Sequence, residues 1–165
     1  MGGWKKLLAF GLAAVAVFAT RLLARRRFRL GRSGIGFALL ELMREWIDAL
    51  EDRTRAFAVS VTRCASHLES SFTLRDHARQ LVRAAGSVAA NHRAMRRARS
   101  TREFAAKLQI VAEETDECVL WLELLRDAGA IQAGEIQRLL SEALELRAIF
   151  NKSKSTLRHR RGAAG

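Results

Sequence analysis

Apolar residues recur along this chain at alternating steps of three and four. The first run is Ile47, Leu50, Thr54, Phe57, Val61, Cys64 and Leu68, with one polar member. A mean step of 3.5 keeps every such side chain on one face of an α-helix and forms a seam that packs against other helices. Three more seams follow. The second is Leu74, Ala78, Leu81, Ala85, Val88, His92 and Met95; the third is Phe104, Leu108, Val111, Thr115, Cys118, Leu122 and Leu125. The fourth is Ile136, Leu139, Ala143, Leu146, Phe150, Ser153 and Leu157.

Stop and start signals separate these runs. Thr73, with Asp76 three residues on, predicts an N-cap for the second helix, and Ser100-Thr101-Arg102-Glu103 reads as a capping box for the third. Gly129 predicts the end of the third helix, and Gly134 precedes the fourth. Loops this short make sequential helices antiparallel. Sustained period-two alternation occurs nowhere, so the fold predicted is an all-α, antiparallel up-down four-helix bundle.

Composition adds detail to that picture. At 165 residues and 49 % apolar, the chain suits one domain with one core, and it contains no proline. Cys64 and Cys118 both fall on seam positions, which predicts buried, reduced thiols in a reducing, cytoplasmic setting.

Residues 1–42 differ from residues 43–165, which hold the bundle and a short basic tail, Arg158-His159-Arg160-Arg161. Leu7–Thr20 is apolar for fourteen residues between Lys5-Lys6 and Arg21, with Arg25-Arg26-Arg27 beyond. That is shorter than the roughly 20 residues of a full span. Three readings stand: a short membrane anchor that makes the chain membrane-associated, an upstream extension with the working start at Met43, or a signal peptide.

Net charge is +12, with 29 Lys and Arg against 17 Asp and Glu. Such an excess favours polyanionic partners, RNA, DNA or an anionic membrane surface. Residues 1–42 take eight of the bases and one of the acids, which leaves the remainder moderately basic at +5. The densest feature is Arg93, Arg96, Arg97, Arg99 and Arg102, with no acid until Glu103. On one helix face and around a helix cap, such guanidinium groups can hold phosphates bidentately. The competing reading pairs these arginines with Glu113, Glu114, Asp116 and Glu117 of the third helix.

Catalysis and metal binding find no constellation in the sequence. None of the four histidines has an acid three residues before it, as a di-iron bundle needs, and Cys64-x-x-His67 is a half-motif without a second pair. P-loop and nucleophile-elbow patterns are missing, and Gly31-Arg-Ser-Gly34-Ile-Gly36 has the wrong spacing for a dinucleotide. The expectation is a non-enzymatic protein with no cofactor.

Near the end of the third helix, Cys118 to Leu125 is apolar around nearly the whole circumference. A helix apolar on every face is covered on more than one side. Val119, Leu120, Trp121 and Leu124 are therefore the candidate interface of a homo-oligomer, opposite the small residues Ala84 to Ala90 of the second helix. The alternative is cover from within one chain.

Arg53-Thr54 with Phe57-Ala58, Gln80-Leu81-Val82-Arg83-Ala84, Ser87-Val88-Ala89-Ala90-Asn91, and Ser100 with Glu103-Phe104 resemble the 23S rRNA intervening-sequence proteins, also called the four helix bundle protein family. Asn91 to Leu125 is similar to an Arg-rich branch of that family; the resemblance covers about residues 45–158. It departs after Asn91, where His92-Arg93 stands in place of the Glu-Gly or similar pair of many relatives. The resemblance implies an up-down bundle that assembles into rings, pentamers in related members. Some relatives are accessory proteins of diversity-generating retroelements that bind nucleic acid and a reverse transcriptase. The function expected is a non-catalytic, oligomeric nucleic-acid- or ribonucleoprotein-binding scaffold. The alternative is a protein–protein adaptor without nucleic-acid contact, free or tethered to a membrane through residues 1–42.

Overall fold

The computed structural model describes residues 34–68 and 70–162, with backbone alone at 34–40, 42, 43 and 160–162. The expectations placed on residues 1–33 lie outside the described residues. Four helices make up the fold: α1 (Gly34–Ser66), α2 (Arg75–Arg96), α3 (Thr101–Asp127) and α4 (Ala133–Gly162). No strand occurs among the described residues. Helix α1 runs back without a break through Met43 to Gly34. No helix among the described residues is long and apolar enough to cross a membrane.

The four seams form one core. Every seam position of α3 is buried, and Ala112 and Val119 join them on its flank. In α1 the buried set is Leu50, Thr54, Phe57, Val61, Cys64, Ala65 and Leu68, with Ile47 only half-buried at the rim. In α2, Ala84 joins the six buried seam residues, while Leu74 stays partly buried. In α4, Leu140 and Ile149 widen the stripe, and Leu157 packs on the core from its edge. Polar seam members bond within their own helix. Thr54 Oγ1 donates to Glu51 C=O at 2.8 Å, Thr115 Oγ1 to Val111 C=O at 2.6 Å, and Ser153 Oγ to Ile149 C=O at 2.9 Å. This costs little, because each hydroxyl reaches a carbonyl three or four residues back.

Ion pairs record the same antiparallel register at every groove. Arg53 of α1 forks onto Glu142 of α4 at 2.6 and 2.8 Å and reaches Glu145 at 2.5 Å. The hydrogen bond to Glu142 raises its pKa above the ordinary arginine value. Arg83 of α2 meets Glu114 at 3.4 Å and also Glu117 on α3. Arg147 of α4 meets Asp116 of α3 at 3.0 Å, and Arg96 of α2 holds Asp48 and Glu51 of α1.

The turns follow the stop signals with two corrections, at Thr73 and at Gly134, which is the second residue of α4 and does not precede it. Ser100 caps α3, accepting the Glu103 N–H at 3.1 Å; Glu103 reaches back to the Arg99 N–H at 2.9 Å, one residue earlier than the usual box. Gly129 adopts φ 63°, with Gly129 N–H to Arg126 C=O at 2.9 Å and Ala130 N–H to Leu125 C=O at 3.0 Å. That is the Schellman pattern, and glycine suits its left-handed residue. Thr73 does not cap α2. The turn at 71–74 is itself helix-like, so Leu74 occupies the cap position without a side-chain bond, and Ser71 Oγ accepts the Leu74 N–H at 3.4 Å instead.

Both cysteines are buried and free. Desolvation pushes the Cys64 thiol up to about 11, aided by Glu135, and raises Cys118 still further. Neither has the low pKa of a reactive thiolate.

His92 lies 1 % exposed, 5.8 Å from the Phe150 ring, with Nδ1 lacking a partner among the described residues. Desolvation, with Arg96 adding to it and Glu51 opposing it, lowers its pKa from 6.5 to about 4. The unfolded chain therefore takes up a proton near pH 6.5 that the folded chain refuses until about pH 4. Stability from this group is lost as pH falls through that window, by about 3 kcal/mol in all. Urea denaturation of wild type and His92→Leu between pH 7 and 4 should show a shallower decline in the variant. Parallel curves would contradict this account.

Candidate nucleic-acid interface

The five arginines proposed for phosphate contact divide into two groups. Arg96 is turned into the α1–α2 groove, where Asp48 and Glu51 take its guanidinium, and Arg93 Nε stands 3.6 Å from Glu51. Arg96 is engaged in holding α1 against α2, whereas Arg93, its side chain 64 % exposed, meets Glu51 only at the rim. Arg97, the C-cap residue of α2, and Arg102, in the first turn of α3, are exposed and form no ion pair among the described residues. Arg99 lies between them with its side chain 89 % exposed, 3.7 Å from Glu103. At that exposure the pair contributes little.

The acids of α3 are not the partners of this cluster. Glu114 and Glu117 pair with Arg83, Asp116 pairs with Arg147, and Glu113 accepts from Gln109. Register is the reason. Lys107 Nζ donates to Asn91 Oδ1 at 3.2 Å, so residues 93–97 of α2 lie level with the first turns of α3. The acids at 113–117 lie about 15 Å further along the axis, at 1.5 Å per residue.

Folding brings further cations to the same end. Arg102 lies two heptads before Asp116, on the edge of α3 that faces α4; Lys154 lies one heptad beyond Arg147, on the edge of α4 that faces α3. Arg158 follows Lys154 by four residues on the same face. Asp116 and Arg147 neutralise each other in mid-groove; at 1.5 Å per residue Lys154 lies about 10 Å beyond that pair, Arg158 about 16 Å and Arg102 about 21 Å, so Arg158 approaches the level of Arg102 and Lys154 lies about two turns short of it. Lys154 and Arg158 form no ion pair among the described residues. The nearby acids Asp48, Glu51 and Glu103 are committed to Arg96, Arg93 and Arg99, while Glu41 and Glu45 lie further out on α1 beside Arg44. Sequence reading sets Arg158 apart in the tail; the heptad count from the Asp116–Arg147 pair brings it toward this end, with Lys154 one turn before it.

The proposed oligomer residues also divide. Val119 is 2 % exposed within the chain's own core, because it continues the flank of the α3 seam that Ala112 begins; it is not available to a second copy. Trp121 is half-buried, its ring 5.6 Å from that of His77 on α2, with Nε1 buried and unpartnered among the described residues. Leu120 and Leu124 remain outward, 48 % and 41 % exposed. The cleft between α1 and α4, lined by Arg53, Phe57, Arg138 and Glu142 among others, has its Arg53 and Glu142 already joined.

The family model described as 23S rRNA-intervening sequence protein matches residues 50–152. The chain belongs to that family. The match takes in the second and third seams whole, the α2–α3 connection, and all but Ile47 of the first seam and Ser153 and Leu157 of the fourth. Among solved structures, the chain is similar to a protein of unknown function from the S23 ribosomal protein family of Bacteroides thetaiotaomicron. The two share 24 % identity at a TM-score of 0.60, over 68 % of this chain and 97 % of that one. That likeness bears on the fold. No curated protein matches the chain.

Proposed function

We propose that this member of the 23S rRNA-intervening sequence protein family acts by binding and not by catalysis, as an oligomeric scaffold that holds RNA or DNA by its phosphates. The observation that carries the reading is the cationic end of the bundle. Arg97, Arg99 and Arg102 gather there with Lys154 and Arg158, while Arg96 is spent on inter-helix pairs and Arg93 stands 3.6 Å from Glu51 at the rim. Exposed cationic side chains release counterions when they meet phosphates, and this is the main source of sequence-independent affinity.

Two exposed, unpaired positions make the cleanest test. Arg97→Glu with Arg102→Glu should leave helicity unchanged and weaken binding of a mixed-sequence nucleic acid at least tenfold at 0.1 M salt. Loss of about two phosphate contacts should also flatten the slope of log K against log salt by about 2. Unchanged affinity in a folded double variant would remove this site. Arg96 is unsuited to the test because its replacement also breaks the α1–α2 contact.

Self-association through the outer face of α3 is the second part of the proposal, supported by exposed Leu120 and Leu124. The ring implied by the family resemblance would use such a face. Leu120→Lys with Leu124→Lys should lower the native mass measured by light scattering without loss of helicity. A variant that keeps the wild-type mass would place the contact elsewhere.

A further inference from the structure

Resting on the phosphate-binding reading, we propose that the cationic end is built for a double-stranded nucleic acid, straddling one groove so that both phosphate backbones are held. The cations form two rows on separate rigid elements. One row follows the α2–α3 connection through Arg97, Arg99 and Arg102; the other is Lys154 and Arg158 on the last turns of α4. Neighbouring helix axes lie about 8–10 Å apart, and long side chains extend the reach. Groove widths of about 6 and 12 Å in a B-form duplex fall within that span.

The apolar residues within the rows are turned inward. Ala98, between Arg97 and Arg99, and Leu157, before Arg158, are partly buried and packed on the core, so the rows themselves expose charge. Among the described side chains at this end, the aromatic rings are turned inward. Phe104 is 5 % exposed, Phe150 is 1 % exposed, and Trp46 packs on the core. The strongly exposed aromatic, Phe72 at 86 %, sits on the α1–α2 connection at the opposite end. Single strands are commonly held by stacking of bases on exposed rings, which offsets the entropy of ordering a flexible chain. A duplex brings its phosphates already ordered, and helix-borne cations at fixed separations match such an array without stacking.

The test uses the full chain and fluorescence anisotropy at fixed salt with four probes of one mixed sequence, a 20-base-pair RNA duplex, the DNA duplex, and one strand of each. The expected result is that at least one duplex binds tenfold or more tightly than its own strand. Lys154→Glu with Arg158→Glu should reduce the duplex salt slope by about 2 and the tenfold preference with it. Single strands bound as tightly as both duplexes would overturn the duplex assignment and leave the phosphate-binding reading standing. No binding to any of the four would overturn both.

Discussion

Everything else in this structure depends on the register with which four apolar seams meet. Burying a large aliphatic or aromatic side chain is worth about 1.5–3 kcal/mol, and each helix carries several. An exposed ion pair is worth about 0–1 kcal/mol. The seams therefore set the rotation and axial position of each helix, and the charges accept the neighbours that result. Arg53, Arg83, Arg96 and Arg147 each meet an acid across a groove. The same register leaves Arg97, Arg102, Lys154 and Arg158 toward one end without an acid partner among the described residues.

The fold was nearly complete in the sequence. A strict alternation of three and four located the core face of α3 at every position, and the caps at Ser100 and Gly129 act through the bonds their residue types suggest. Misses fell where a local signal competed with its surroundings. Thr73 looked like a cap, but the chain continues helix-like through the turn before it. Val119 looked surplus because a two-position seam omits the flank that a four-helix core also buries.

The candidate site was less legible. A linear run of five arginines carries no information about which acids will face it, and the acids of α3 were plausible partners by proximity in sequence alone. The deciding residues, Asp48 and Glu51, lie on α1, some forty-five positions away from Arg96. Conversely, Arg158 reads as part of a tail until the Asp116–Arg147 pair fixes its level near Arg102, with Lys154 one turn before it. Charge is thus partitioned by topology, and a sequence count of +12 understates how unevenly the free cations are placed.

The central claim is that this partition makes one end of the bundle the nucleic-acid surface. Photo-crosslinking of bound nucleic acid to the full chain, followed by mass spectrometry of the modified peptides, tests it most directly. Adducts confined to residues 97–102 and 152–158 are the predicted result. Adducts concentrated along the middle of α3, or scattered over all four helices in proportion to exposed arginine, would contradict it.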